Sequence, residues 1–245
     1  MTAGISLTFG RPPYRPTVGC INRASGLVNG LAFACFPGDG GVDLVTGLAP
    51  SQLLGYGTVA TAFGPASLLT QASSNGIFYG IYTPITPANG YTLAAIAAPT
   101  FVAQVSCLIG ARTSGGADLL GLYVNTNANG TAVAGDFTLI EYSSGFLQQG
   151  DNSGTGASTD GKMHCYMAMR FPASATPKVY LDGIDTTSFT NVNAGNAPMP
   201  QKWAVSGLDA GAPQTCDFPV VAAFAWNRPL SVSEALAFAI NPWVM

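Results

Sequence analysis

Turn-forming residues break this 245-residue chain into short apolar runs, and this feature most constrains its fold. The chain contains 30 Gly and 17 Pro residues. Several runs alternate apolar and small residues, so that Leu31, Phe33 and Cys35 would share one face of a strand. Clusters rich in Gly, Ser and Asn separate the runs, as at residues 73–76, 114–116 and 151–154. The pattern predicts an all-β fold.

The predicted elements are mainly strands, with one short helix near the C-terminal end. Strands are predicted at residues 26–36, 76–83, 91–97, 101–111, 119–125, 137–142, 162–171, 178–181 and 202–207. The helix is predicted over residues 231–239, because Ser231 and Glu234 have the spacing of a capping box. Asn241 and Pro242 would end the helix.

Residues 1–26 are predicted to form an extended N-terminal arm, and residues 27–245 a single domain. The segment from Arg11 to Pro16 is rich in proline, which opposes both helix and central strand. The N-terminus lacks a basic segment followed by a continuous apolar one, so we expect no secretory signal. The most apolar stretch, residues 91–110, contains Pro99, Gln104 and Ser106, and we expect no insertion into a membrane.

Charged residues are scarce, at 9% of the chain against roughly 25% in an average soluble protein. No charged residue or histidine occurs between Leu44 and Ala111. This stretch could expose a neutral surface of hydroxyls and amides, or it could be covered by neighbouring subunits. With 9 Lys plus Arg, 12 Asp plus Glu and no basic cluster, we expect no binding to nucleic acid.

Three motifs occur in an order that resembles the concanavalin A-like superfamily, in particular its laminin G-like domains. They are Asp160-Gly161-Lys162-Met163-His164, Tyr180-Leu181-Asp182-Gly183 and Asn227-Arg228-Pro229-Leu230-Ser231. In the first motif Met163 stands where the family usually has Trp. The resemblance implies a jelly-roll sandwich of two antiparallel sheets with a short C-terminal helix.

The Pro- and Arg-bearing arm, the segment Ser25-Gly26-Leu27-Val28 and the ending Asn241-Pro242-Trp243 resemble laminin G-like proteins encoded by bacteriophages and prophages. That resemblance implies a virion structural or decoration protein, assembled in the bacterial cytoplasm. Its partners would be major capsid or tail proteins, with a homo-oligomer expected. The alternative is a lectin-like carbohydrate-binding module that recognises cell-surface glycans.

The carboxylates lack the paired pattern that glycoside hydrolysis needs. The chain has only Glu141 and Glu234, and the second belongs to the helix cap. The Asp residues considered as substitutes all fall in predicted turns: Asp39, Asp43, Asp151, Asp160, Asp182, Asp185 and Asp209. We therefore expect no enzyme, no catalytic residues and no cofactor.

His164, the single histidine, has no Ser or Cys elbow to form a triad with, and its position at a strand start predicts a partly buried structural residue. Five widely spaced cysteines without a C-x-x-C pair argue against zinc, and Cys35, Cys107 and Cys165 are expected to be buried.

For two further groups of residues, the loop carboxylates and the aromatic residues, the sequence allows more than one interpretation. Asp39, Asp43, Asp151, Asn152 and Asp160 lie near Gly-rich loops without calcium-ligand spacing, so solvated turns and no metal site are expected. Five aromatic residues could either stack on sugars or fill the core: Tyr56, Phe78, Tyr79, Tyr82 and Tyr91.

Overall fold

Two antiparallel β-sheets packed face to face make up the described part of the chain, as the sequence predicts. This computed structural model describes residues 21, 25–70, 75–82, 84–100, 105–112, 119–125, 136–143, 146–151, 159–172, 177–191, 202–208 and 215–243. The all-β jelly-roll class is confirmed.

The strands are short and follow one another through turns along the chain. The first eight are β1 (Leu31–Cys35), β2 (Gln52–Leu54), β3 (Tyr56–Thr61), β4 (Gly64–Leu69), β5 (Gly76–Ile81), β6 (Tyr91–Ala97), β7 (Ser106–Arg112) and β8 (Leu119–Val124). The next eight are β9 (Phe137–Ser143), β10 (Phe146–Asp151), β11 (His164–Arg170), β12 (Lys178–Leu181), β13 (Ile184–Asp185), β14 (Phe189–Asn191), β15 (Lys202–Val205) and β16 (Val220–Trp226). The helix α1 spans Val232–Ile240.

Sheet A has the order β13-β12-β11-β6-β16-β4-β3, with β1 also paired to β16. Sheet B has the order β14-β10-β9-β8-β7-β15-β5-β2. Neighbouring strands are often distant in sequence; β15, for example, lies between β7 and β5. Each sheet therefore joins segments from both halves of the chain.

The main hydrophobic core lies between the two sheets, and alternation of side chains along the strands supplies most of it. Trp203 and Val205 of β15 are fully buried there, as are Ile77 of β5 and Tyr166 of β11. Since successive side chains of a strand point to opposite faces, the residues between them must face outward. The same alternation therefore selects both the core and the residues on the outer faces.

The outer face of sheet A is covered by α1 and by residues 25–28. Ser231 accepts a hydrogen bond from the Glu234 amide at 3.2 Å, and Glu234 accepts one from the Ser231 amide at 2.8 Å. This is the predicted capping box. Phe238 packs edge-on against Trp226 at a centroid distance of 5.1 Å, and the Trp226 indole donates to the Leu27 carbonyl at 2.6 Å. A second apolar cluster is thereby buried behind sheet A.

The predicted elements differ from the structure in two respects. The first strand begins at Leu31, because Gly26–Val28 form a 3-10 turn that Ser25 caps. Several strands, among them β2 and the hairpin β3–β4, were not predicted. The predicted arm lies outside the described residues except for residues 21, 25 and 26. No helix in the described segments is long and apolar enough to cross a membrane.

Gly38 provides a test of this packing, because its backbone lies directly against β4. A Cβ added at Gly38 would lie 2.2 Å from the Pro65 carbonyl oxygen, whereas a Cβ at Gly26 would meet nothing within 4 Å. We predict that Gly38→Ala lowers the free energy of unfolding by about 3 kcal/mol, the upper range for overpacking. Gly26→Ala is the matched control and should change it by under about 1 kcal/mol. Urea denaturation measures both, and equal effects would contradict this description of the contact.

Candidate functional site

The motif that carries the family resemblance forms a hydrogen-bonded junction around His164. His164 Nδ1 lies 2.8 Å from Asp182 Oδ2, and Nε2 lies 3.1 Å from Asp160 Oδ1. Asp182 also accepts a hydrogen bond from the Cys165 amide at 2.9 Å. Asp182 and Gly183 both have positive φ, as a tight hairpin turn requires. The junction ties the start of β11 to the turn between β12 and β13, so the motif is structural.

The charges at this junction shift two pKa values. Burial alone would lower the pKa of His164, but hydrogen bonds and charges from Asp182 and Asp160 outweigh burial and raise it. Partial burial would raise the pKa of Asp160, yet its contacts with Lys162 and His164 dominate and lower it to about 2. His164 is therefore held in its charged form more firmly than a free imidazole.

Glu141, considered in sequence as a catalytic carboxylate, is buried between the sheets. Tyr91 donates a hydrogen bond to Glu141 Oε1, and Arg170 Nη1 lies 2.9 Å from Glu141 Oε2. Burial raises the pKa of Glu141, while the Arg170 charge and the Tyr91 hydroxyl oppose that effect. Only 1% of the Glu141 side chain is exposed. The three residues connect β9 of sheet B with β6 and β11 of sheet A.

Glu234 lies on the other side of sheet A, in the cap of α1. Its two carboxylate oxygens lie 2.9 Å and 2.7 Å from the Arg228 guanidinium. Arg228 and the Ser231 amide lower the pKa of Glu234 to about 2. The two glutamates therefore stabilise different parts of the fold, and each contacts its own arginine.

Asp43 is fully buried and accepts hydrogen bonds from the Ala34 and Val45 amides, the Thr46 hydroxyl and the Tyr82 hydroxyl. This carboxylate fastens the loop after β1 to the core. Among the described residues, no group of three or more His, Cys, Asp or Glu side chains is placed to hold a metal ion. Asn152 and Asp209 lie outside the described residues, as does Cys20.

Cys35, Cys107 and Cys165 are buried and unpaired, as predicted for small hydrophobic residues, and Cys216, for which no prediction was made, is also buried and unpaired. Burial raises the pKa of the Cys35 thiol to about 12. A thiol held in its neutral form is a poor nucleophile.

The five aromatic residues separate into two groups. Tyr79 and Tyr91 are buried in the core between the sheets, and Tyr56 and Tyr82 pack against that core. Phe78 lies between Ile77 and Tyr79 on β5, so alternation places it on the outer face of sheet B. It is partly buried there. Of the five, Phe78 is therefore the one available to a ligand on this face.

Phe78 lines a depression of about 250 Å³ on the outer face of sheet B. The apolar part of the lining is Leu54, Phe78, Gly80 and Leu208, and the polar part is Ser51, Gln52, Arg112 and Lys202. The depression crosses four strands, β2, β5, β15 and β7, at one end of the sheet. Its lining combines an aromatic ring with hydroxyl, amide and cationic groups, the composition of a site for a small polar ligand.

Apart from Phe78, the sequence analysis did not identify these pocket residues. Gln52 belongs to an unpredicted strand, β2, which pairs with β5 at the edge of the sheet. Arg112 and Lys202 are ninety positions apart in the chain and become neighbours only because β15 inserts beside β7. Alternation around Ile77 and Tyr79 was the one signal that could have placed Phe78 outward.

Comparisons with known proteins locate the fold among lectin-like β-sandwiches. No protein-family model and no curated protein sequence matches the chain. A sialidase from Trypanosoma rangeli in complex with sialic acid is 17% identical, with a TM-score of 0.61 over 94% of this chain and 36% of that chain. The binding domain of Paraclostridial Mosquitocidal Protein 1 is 11% identical, with a TM-score of 0.65 over 87% of this chain and 52% of that chain.

Domain 4 of a GH43 extracellular arabinanase from Geobacillus stearothermophilus, in complex with arabinotriose, is similar over nearly its whole length. It is 16% identical, with a TM-score of 0.58 over 85% of this chain and 98% of that chain. The present chain spans about a third of the sialidase chains and about half of the mosquitocidal binding-domain chain. At these identities the likeness shows a shared fold, the lectin-like sandwich that the sequence motifs implied.

These comparisons correct two expectations. The exclusion of an enzyme was wrong, because the similar structures include several of one enzyme, the Trypanosoma rangeli sialidase, in which the matching region is 36% of a longer chain. The bacteriophage resemblance receives no support from the structures described above, which belong to a sialidase, an arabinanase and a mosquitocidal protein. The carbohydrate-binding alternative is the better supported of the two functions.

The His164 junction predicts a pH-dependent stability. Because the pKa of His164 is raised on folding, its contribution is fully present below the unfolded value of about 6.5. The contribution is lost as pH rises through the folded pKa. We expect His164→Gln to lower the free energy of unfolding by about 1.5–3 kcal/mol at low pH, as for hydrogen bonds to charged groups, and by less at high pH. Urea unfolding of both proteins between about pH 5 and pH 8 tests this; a difference that does not change with pH would contradict it.

The buried Glu141 predicts a large loss of stability when its side chain is removed. Glu141→Ala leaves Arg170 without its carboxylate, and we expect a loss of about 3–5 kcal/mol in the free energy of unfolding. The matched control is Lys178→Ala, which breaks the exposed Lys178–Asp185 pair at 2.7 Å and should cost under about 1 kcal/mol. Thermal and urea unfolding measure both variants. Comparable losses would show that the intersheet ion pair contributes no more than a surface pair.

Proposed function

We propose that this chain is a carbohydrate-binding β-sandwich module, and that the depression around Phe78 on sheet B is its sugar site. The observation that carries the proposal is the lining itself, in which an aromatic ring, a primary amide, a hydroxyl and two cations converge. Support also comes from the fold, which is similar to an arabinanase domain in complex with arabinotriose.

The lining suits the two surfaces of a sugar ring. A pyranose or furanose presents C–H groups on its faces and hydroxyls around its rim. The face of Phe78 can pack against the C–H groups, as aromatic rings do against apolar surfaces. Gln52 provides both a donor and an acceptor from one planar amide, and the Arg112 and Lys202 side chains are donors.

The rigid backbone beneath these side chains favours binding. The Ser51 amide and hydroxyl both donate to the Phe78 carbonyl, at 2.7 Å and 3.0 Å, so the edge of the pocket is fixed. Gly80 has φ of +70° and lacks a side chain, which leaves the space above β5 clear. A site held on strands in this way loses little freedom when it binds a ligand.

The volume of the depression limits the ligand. Pockets that enclose drug-sized molecules are roughly 300–1,000 Å³, and this depression of about 250 Å³ is smaller. It fits one terminal sugar residue better than the middle of a long chain. We therefore propose recognition of glycan ends.

The sialidase and arabinanase comparisons further support a place within a larger glycan-processing protein, where such a module would hold a catalytic domain near its substrate. Attachment to a virion, with capsid or tail partners and a homo-oligomer, stays a prediction. Only the scarcity of charge, 9% of the chain, favours it. Co-sedimentation of the protein with virus particles of the source strain would test that role.

Removal of the Phe78 ring should weaken sugar binding. We expect Phe78→Ala to lower the affinity for the best glycan about tenfold, because an aromatic contact of about 1.4 kcal/mol corresponds to that factor. The measurement is a broad glycan array followed by calorimetric titration with the strongest glycan.

The matched control is Phe63→Ala, which removes a partly buried Phe from the β3–β4 turn of sheet A. Both variants are first checked for the native melting temperature. Equal loss of affinity in both would move the site away from Phe78. Absence of any glycan binding, with and without calcium, would overturn the proposed function.

A further inference from the structure

We propose that the pocket on sheet B selects a sugar that carries a negative charge, whose oxyanion lies between Arg112 and Lys202. This inference rests on the proposed sugar site and specifies the chemical class of its ligand. The shared chemistry is a carboxylate or sulfate group on a terminal sugar residue.

The first argument is the register of the strands. Arg112 ends β7 and Lys202 begins β15, and the two residues are direct partners in the antiparallel ladder. Residues directly opposite each other have Cβ atoms about 4.5–5.5 Å apart. Ala111 and Trp203, their neighbours, point into the core, so both cations lie on the outer face of the sheet, where they line the pocket.

The second argument is that two cations lie together at one pocket, although the chain has only nine Lys and Arg residues to place. Like charges directly opposite on a sheet repel each other. An oxyanion between them would reduce this repulsion, in addition to the contacts that Arg112 makes within the fold.

The third argument is the local charge balance. Of the described pocket-lining residues, none is Asp or Glu. Within the described part of the chain, no carboxylate lies within ion-pair distance of Lys202. By contrast, Lys178 pairs with Asp185 at 2.7 Å on the edge of sheet A. The Lys202 ammonium is thus positioned for an anion that arrives from outside.

The fourth argument is the distance between the cations and the aromatic ring. Ala204 is the ladder partner of Phe78, and Lys202 lies two residues before Ala204 on the same face of β15. Two residues of a strand span about 7 Å. A sugar ring that packs on Phe78 can therefore direct a carboxylate or sulfate substituent toward Lys202 and Arg112. The planar guanidinium can bind such an oxyanion through two parallel hydrogen bonds.

The test compares sugars that differ only in charge. Intact protein is titrated with sialyllactose against lactose, with oligogalacturonate against its methyl ester, and with a sulfated against an unsulfated galactoside. We expect the charged member of at least one pair to bind about tenfold more tightly, the factor expected when a charge-assisted hydrogen bond is added. That preference should shrink as salt is raised from about 50 mM to about 500 mM. The pair in which the charged sugar binds more tightly shows whether the pocket prefers a carboxylate or a sulfate.

The variants are Lys202→Gln and Arg112→Gln, with Lys178→Gln as the matched control. Each replaces a cation by a neutral amide, and the melting temperature of each confirms folding. We expect the charged sugar to bind no more tightly than its neutral partner in the two pocket variants, and the Lys178→Gln control to keep the full preference for the charged sugar.

Two outcomes would overturn the inference, and they are distinguishable. Equal binding of charged and neutral sugars, reduced by Phe78→Ala, would overturn the anionic selectivity and leave the sugar site intact. Absence of binding to every sugar would overturn the proposed function and this inference with it.

Discussion

Burial of apolar side chains between the two sheets is the interaction on which the rest of this structure depends. Residues such as Leu93, Leu122, Tyr166 and Trp203 are fully buried there. Because side chains alternate along each strand, the choice of inward residues also determines every outward one. A slip of one residue in β15 would bury Lys202 and expose Trp203. The hydrophobic effect thus fixes the position of the pocket cations, although they take no part in the core.

The two outer faces have different surroundings, and this difference directs the search for a site. Behind sheet A, α1 and the chain before β1 bury a second apolar cluster that includes Phe224, Trp226 and Phe238. On the outer face of sheet B, the described residues form a smaller cluster around Tyr123 and Leu208. Beside that cluster is the depression lined by Phe78 and Lys202. Among the described residues, the candidate site is therefore found on sheet B.

Charge is scarce in this chain, and most of the described charges have structural partners. His164 is held between two aspartates, Glu141 binds Arg170, and Glu234 binds Arg228. Each of these groups joins segments that are distant in the fold or caps an element. The neutral stretch from Leu44 to Ala111 corresponds to β2 through most of β7, whose inner faces fill the core. Because few other charged residues are present, the adjacent cations Arg112 and Lys202 are easy to recognise as a distinct charged feature.

Local chemistry in the sequence determined the strands, the turns and the helix. Short apolar runs predicted β5, β6, β8, β9 and β12 closely, because these strands end at strong turn residues. The capping box of α1 and the Asp182-Gly183 turn follow from residues within a few positions of each other. The motif around His164 indicated the β-sandwich fold, and its residues form one local junction of hydrogen bonds.

Tertiary structure decided what the sequence could not, and the reason is sequence separation. Glu141 was weighed as a catalytic carboxylate, but only the packing of sheet B, with β9, against β6 and β11 of sheet A shows that it is enclosed by Tyr91 and Arg170. The hairpin β3–β4 forms although it contains Gly and Pro, because pairing of β4 with β16 stabilises it. Gln52, Arg112 and Lys202 come from three distant segments, and no local pattern links them. The insertion of β15 between β5 and β7, driven by burial of Trp203 and Val205, creates the candidate site.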